Sequence, residues 1–140
     1  MSDARLSAEQ IQATFDASPF LGFLRLRVVA LDHDAGTLTV SMPMRQELER
    51  RLGTGQFHGG PIAAFIDTVG DYAIGMALGG GVPTINLRID YLRPAVGGSL
   101  TATARVRRAG RTVALVDVDV YDEQQTLVAV GRGTYSGQRG

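Results

Sequence analysis

One stretch of the chain stays apolar for longer than any strand needs. From Pro61 to Leu78 only Asp67, Thr68, Asp71 and Tyr72 interrupt a run of Ile, Ala, Phe, Val, Gly, Met and Leu. That length predicts a helix beginning at Pro61, where a missing N–H is harmless, and stopping at Gly79-Gly80-Gly81. A helix apolar on nearly every side has to be buried. Elsewhere the period is two. In Thr37 to Met42, Leu38 and Val40 alternate with Thr39 and Ser41. In Thr84 to Leu92, Ile85, Leu87, Ile89 and Tyr91 alternate with Thr84, Asn86, Arg88 and Asp90. Ser99 to Arg108 and Arg111 to Tyr121 alternate in the same way, and Thr126 to Tyr135 forms a last strand. Ahead of the helix, Leu24 to Leu31 reads as a strand, joined to the next by a turn at Asp32-His33-Asp34-Ala35-Gly36. Ser7 to Phe15 reads as a short amphipathic helix capped by Ser7, Met44 to Gln56 as a loop with one helical turn, and residues 136–140 as a frayed end. Two strands, one buried helix, then four strands in meander order predict an α+β fold. An antiparallel sheet of five to six strands curls around the helix.

At 140 residues, with no internal repeat or linker, the chain predicts one domain over 1–140. Residues 1–18 form a helical extension of it. Fourteen basic residues balance fourteen acids, so no charge excess points to nucleic acid or an anionic membrane as partner. All the basic residues are Arg, which reads as a composition bias of the surface. The lack of Cys excludes disulfides, thiolate metal sites and a Cys nucleophile. Met1 to Gln10 has no apolar core, so no signal peptide is expected. The 61–79 run is long enough to span a membrane, but Asp67, Gly70, Asp71 and Gly75 argue for a helix inside protein. A cytoplasmic protein is the expectation.

The chemistry gathers at one place, Phe57-His58-Gly59-Gly60-Pro61 followed by Asp67. Gly59 and Gly60 let a ligand approach the backbone closely. The free N–H groups at this helix start lie at the positive end of the dipole and suit an oxyanion or an anionic ligand. The same residues also make a tight loop-to-helix turn, and the pattern alone leaves both readings open. Asp67 among Phe65, Ile66 and Ile74 can be a general base or a nucleophile. Otherwise it is a structural acid, paired for instance with Arg88. Asp71, one turn further on the same face, is a rival for the role of base or nucleophile, but its depth in the helix favours a pair with an Arg or a chain-end contact. Asp67 is about 10 Å along the axis from the helix start, too far to serve the same carbon as the Gly59 N–H. Either the two groups belong to different functions, or a second copy of the chain brings its own Asp67 to this Gly59 across a two-fold interface.

These residues resemble a known family. His58-Gly59-Gly60 with Asp67 nine positions after the histidine, Asp90-Tyr91-Leu92-Arg93-Pro94-Ala95, and Gly98-Ser99-Leu100-Thr101-Ala102-Thr103-Ala104-Arg105-Val106 followed by Gly110-Arg111 are similar to the hotdog-fold thioesterases of the phenylacetate-degradation type, the 4-hydroxybenzoyl-CoA thioesterase-like superfamily. The similarity runs from about Leu21 to Tyr135. It implies a curved sheet around one helix, a homodimer that often pairs into a dimer of dimers, and hydrolysis of an acyl-CoA thioester without metal or cofactor. It further implies Asp67 as the base or nucleophile and the Gly59 N–H as the oxyanion donor. Thr84 would orient the water, His58 would shape the site, and Gly60 would contact the substrate. The family commonly carries Asn or Gln six residues before the histidine. Here that place is Leu52, or Arg50 if two residues are inserted, and Gln56 is the nearby substitute. For the CoA phosphates the candidates are Arg93, Arg108 and Arg111 at strand ends.

Two other readings belong to different classes. A hotdog hydratase or dehydratase would carry His followed by Phe-Pro-Gly, or an Asp…Asn-Pro…His motif, and neither is present. A non-catalytic acyl-CoA-binding protein has no need of Asp67. Phe20, Phe23, Phe65, Ile74 and Met76 are the residues expected to line an apolar acyl pocket.

Overall fold

The long apolar run is a helix, and one antiparallel sheet curves around it. The computed structural model describes residues 4–140, so the first three residues of the expected N-terminal extension lie outside the described residues. The elements are α1 (Ala8–Ala17), α2 (Pro19–Leu24), β1 (Arg27–Asp32), β2 (Thr37–Pro43), α3 (Gly59–Leu78), β3 (Thr84–Tyr91), β4 (Ser99–Ala109), β5 (Val113–Tyr121) and β6 (Leu127–Ser136). By length and composition α3 could cross a membrane, yet Phe65, Ile66 and Val69 have no exposed surface and form the centre of the core. Burying side chains of this size contributes about 1.5–3 kcal/mol each. Gly79 ends the helix in the left-handed region, at φ 91°, and its N–H donates to the Gly75 carbonyl.

The six strands run β1-β2-β4-β5-β6-β3, all neighbours antiparallel. This corrects the expected meander. β3 follows the helix in sequence but pairs with β6 at the far edge of the sheet, because α3 carries the chain across before β3 is laid down. The strand faces are those the alternation predicts, with Leu38, Val40, Leu100, Ala102, Ala104, Val116 and Val120 all fully buried.

One register detail differs. The pairing of β3 with β6 shifts between Thr84 and Asn86, so Thr84 lies opposite Tyr135 and Leu87 opposite Gly133. The extra residue, Ile85, moves Thr84 onto the inward face, away from Asn86, Arg88 and Asp90.

The N-terminal helices pack into the same core as α3 and the sheet. Ser7 caps α1 in a capping box with Gln10, and Ile11 and Phe15 are fully buried. Phe15 meets Tyr72 of α3 edge-on at 5.1 Å. Gln12 bonds the backbone of both Leu26 and Val28. The strand expected from Leu24 begins only at Arg27, and residues 19–24 form α2. Ser18 closes α1 and caps α2, and Pro19 takes a first-turn position. The end at 136–140 is tied rather than frayed at its start. Ser136 N–H donates to the Pro83 carbonyl and Gly137 N–H to that of Thr112, both at 2.9 Å.

Candidate active site

His58 starts α3 as its N-cap. Its Nδ1 accepts the Gly60 N–H at 3.0 Å, which leaves the ring proton on Nε2. Gly60, expected to contact the substrate, has its N–H taken up by the cap. Pro61 has none. Gly59 keeps its N–H unpartnered among the described residues. Its carbonyl accepts the Tyr91 hydroxyl at 2.7 Å, which fixes the first peptide of the helix against the end of β3. A cavity of about 320 Å³ opens beside it, lined among others by Arg50, Gln56, Gly59, Tyr91 and Arg93. No carboxylate lines it, and the two guanidinium groups are in no ion pair among the described residues. Of the two residues that align with the family's amide, Arg50 lines this cavity, whereas Leu52 is 71% exposed and does not.

Asp67 lies eight residues from Gly59, which at 1.5 Å per residue is about 12 Å. It is half-buried and, among the described residues, pairs with no arginine. Arg88, offered above as a structural partner, lies on the outer face of the sheet and bonds Asp90. Instead, two hydroxyls converge on one carboxylate oxygen. Thr84 Oγ1 donates to Asp67 Oδ1 at 2.9 Å, and Tyr135 Oη stands 3.2 Å from the same oxygen and 3.1 Å from the Asp67 carbonyl. Oδ2 has no donor among the described residues. The arrangement pins the plane of the carboxylate and leaves one oxygen open.

Tyr135 is the member that sequence reasoning missed. It reads as the last inward residue of a strand, and it is fully buried. Burial first, and the charge of Asp67 second, hold its hydroxyl well above the usual phenol range, so it remains a donor. Its ring lies in a slot made by two glycines. A Cβ at Gly70 would stand 2.4 Å from its hydroxyl, and one at Gly133 would stand 2.3 Å from the ring. Gly70, in the middle of a helix, was the available signal.

Asp71, one turn beyond Asp67, pairs with no arginine either among the described residues. Its Oδ1 accepts the Val82 N–H at 2.7 Å. Burial raises its pKa to about 6, opposed by that hydrogen bond and reinforced by the charge of Asp67.

The other expected residues do not join this site within one chain. Arg108 folds over Gly110, and Arg111 lines a separate apolar cavity of about 500 Å³ with Ile74 and Met76. Phe65 is fully buried in the core, while Phe20 and Phe23 are exposed on α2. The expected single acyl pocket therefore does not form from these five.

Residues 54–129 match the model of the thioesterase superfamily. The chain belongs to that superfamily. This places it among the thioester hydrolases, with the hotdog fold that the resemblance implies. A Halobacterium salinarum protein, VNG_1336C, is 38% identical over 95% of this chain and 93% of its own length. The acyl-coenzyme A thioesterase PaaI of Escherichia coli is 33% identical over 77% of this chain and 76% of its own. A solved structure of a thioesterase-superfamily protein superposes with a TM-score of 0.85 at 31% identity, covering 96% of this chain and 98% of that one.

Proposed function

We propose that this thioesterase-superfamily chain hydrolyses acyl-CoA thioesters at a site shared by two copies. The observation that carries the reading is the state of Asp67. Its Oδ1 is occupied by Thr84 and Tyr135 and its Oδ2 is open, while the nearest free helix-start N–H in its own chain, at Gly59, is about 12 Å away. Oδ2 takes a proton from water, and the water oxygen attacks the thioester carbon. The Gly59 N–H of the other copy holds the developing oxyanion, the C–S bond breaks, and the proton passes from Asp67 to the leaving CoA sulfur.

The second copy is proposed from the edge of the sheet. β3 is an end strand with unpaired backbone groups, and Ile85, Tyr91 and Leu92 on or next to it are 59%, 52% and 50% exposed. Pairing β3 with its symmetry mate covers that edge and lays each Asp67 toward the other chain's helix start. His58 shapes the site from the cap, and Thr84 orients Asp67 and the water. Gln56 and Arg93 line the Gly59 half-site and would meet the thioester and the CoA moiety there. Arg108 and Arg111 would meet CoA phosphates only as residues of the other copy.

The test is release of free CoA thiol from a panel of aliphatic and aromatic acyl-CoAs, with sedimentation of the same sample. The expected result is turnover by a dimer or a dimer of dimers. A protein that stays monomeric while turning over thioester would overturn the shared site.

A further inference from the structure

The loop from Gly79 to Pro83 is held to α3 at two points. Its backbone crosses the helix at Gly75, where a Cβ would stand 2.3 Å from the Gly80 carbonyl oxygen. Its second tie is the bond from Val82 N–H to Asp71 Oδ1, with both carboxylate oxygens seated 3.5 Å from where a Cβ on Gly81 would be. Two residues after Val82 comes Thr84, whose hydroxyl meets Asp67. Asp71 and Asp67 are thus joined twice, by one turn of helix and by the short path Val82-Pro83-Thr84.

We propose that Asp71 is a positioning residue: by holding the Val82 N–H it fixes the loop that delivers the Thr84 hydroxyl to Asp67. This rests on the thioesterase reading above. Burial makes a charged group at this position costly to the fold. The groups facing it are Asp67 and Tyr72 on its own helix and Tyr135 from β6, while Arg139 lies over Gly79 and Gly80. Its carboxyl is pushed up to about 6 by burial, so at neutral pH it is charged against a resistance. A charge-assisted bond to a backbone N–H is roughly twice as strong as a neutral one, which is the return on that charge.

The test is a kinetic cycle on the assembled protein with an acyl-CoA substrate, using Asp71→Ala, Asp71→Asn, Thr84→Ala and the double variant Asp71→Ala/Thr84→Ala. Asp71→Ala is expected to lower kcat about tenfold with KM changed by less than about twofold, as loss of one hydrogen bond to a charged group would do. Asp71→Asn, which keeps an oxygen for the Val82 N–H, is expected to recover to within about threefold of the unaltered protein. The double variant is expected to fall no further than Thr84→Ala alone, because the two residues act through one contact. Independent single effects that multiply in the double variant would overturn the proposal. So would an undiminished kcat in Asp71→Ala.

A second readout needs no substrate. The Val82 amide resonance should titrate with a midpoint near 6 and lose that titration in Asp71→Asn. If the protein hydrolyses no thioester but Val82 titrates, the enzyme reading has failed and the anchor stands. If it is active but Val82 does not titrate, the anchor has failed and the enzyme reading stands.

Discussion

Replacing Asp71 by Asn should make the folded protein more stable at neutral pH, by an amount that depends on pH in a defined way. The Asp71 carboxyl is raised from 3.8 to about 6 in the folded chain. A shift of about two units corresponds to about 3 kcal/mol at 1.36 kcal/mol per unit. The sign follows from proton binding. Between pH 4 and 6 the folded chain holds a proton at Asp71 that the unfolded chain has released, so stability falls as pH rises through this window. The penalty is absent below about pH 4 and complete above about pH 6. Asn has the shape and the oxygen acceptor of the protonated acid and no charge to bury. The two proteins should therefore unfold alike near pH 4, and the variant should exceed the unaltered protein by about 3 kcal/mol at pH 8. For a domain of this size that corresponds to roughly 6–12 °C in Tm. The assay is urea unfolding followed by far-UV circular dichroism at pH 4, 5, 6, 7 and 8, at one protein concentration so that assembly contributes equally. A stability gap that does not change with pH, or an unaltered protein that is the more stable at pH 8, would refute the reasoning. Together with the kinetic cycle, the expected result for Asp71→Asn is a variant that gains stability at neutral pH and keeps most of its turnover.

Asp67→Asn should reduce thioester hydrolysis at least about a hundredfold while leaving the circular dichroism spectrum unchanged, since it removes the base and keeps the acceptor for Thr84 and Tyr135. Gly70→Ala should cost about 1–3 kcal/mol in urea unfolding, because its methyl group would occupy the place of the Tyr135 hydroxyl, and should lower kcat as well. Tyr91→Phe frees the Gly59 carbonyl and should lower kcat about three- to tenfold, read by thiol release across the substrate panel. Ile85→Lys places a charge on the exposed edge at β3 and should yield a monomer by sedimentation, with turnover lost in proportion.

Most of the fold was legible because burial imposes a period. α3 announces itself by an apolar run that no strand could use, and β2, β4 and β5 by alternation that the buried residues follow one by one. What local pattern does not carry is the partner. Nothing in Thr84 to Tyr91 tells that it pairs with β6 rather than with β4, and the shift at Ile85 that turns Thr84 inward depends on β6 as well. α2 was missed because Phe20 to Leu24 has the length and apolarity of a buried strand, although Ser18-Pro19 is a helix start. At the candidate site, His58, Gly59 and Asp67 stand out in the sequence because a helix start and a carboxylate in an apolar helix are both unusual. Tyr135 does not, because an inward tyrosine at a strand end looks like packing until its hydroxyl is placed. The arginines divided by geometry: Arg93 reaches the half-site at Gly59, and Arg108 and Arg111 turn toward the other end of the sheet.

The slot around Tyr135 has a consequence for anyone who reads or rewrites this sequence. Gly70 and Gly133 hold no reactive atom, yet the phenol reaches Asp67 only because both lack a side chain. A saturation scan should therefore rank these two glycines with the acid itself, and a designer moving the carboxylate to another scaffold would have to carry a tyrosine and two vacancies along with it.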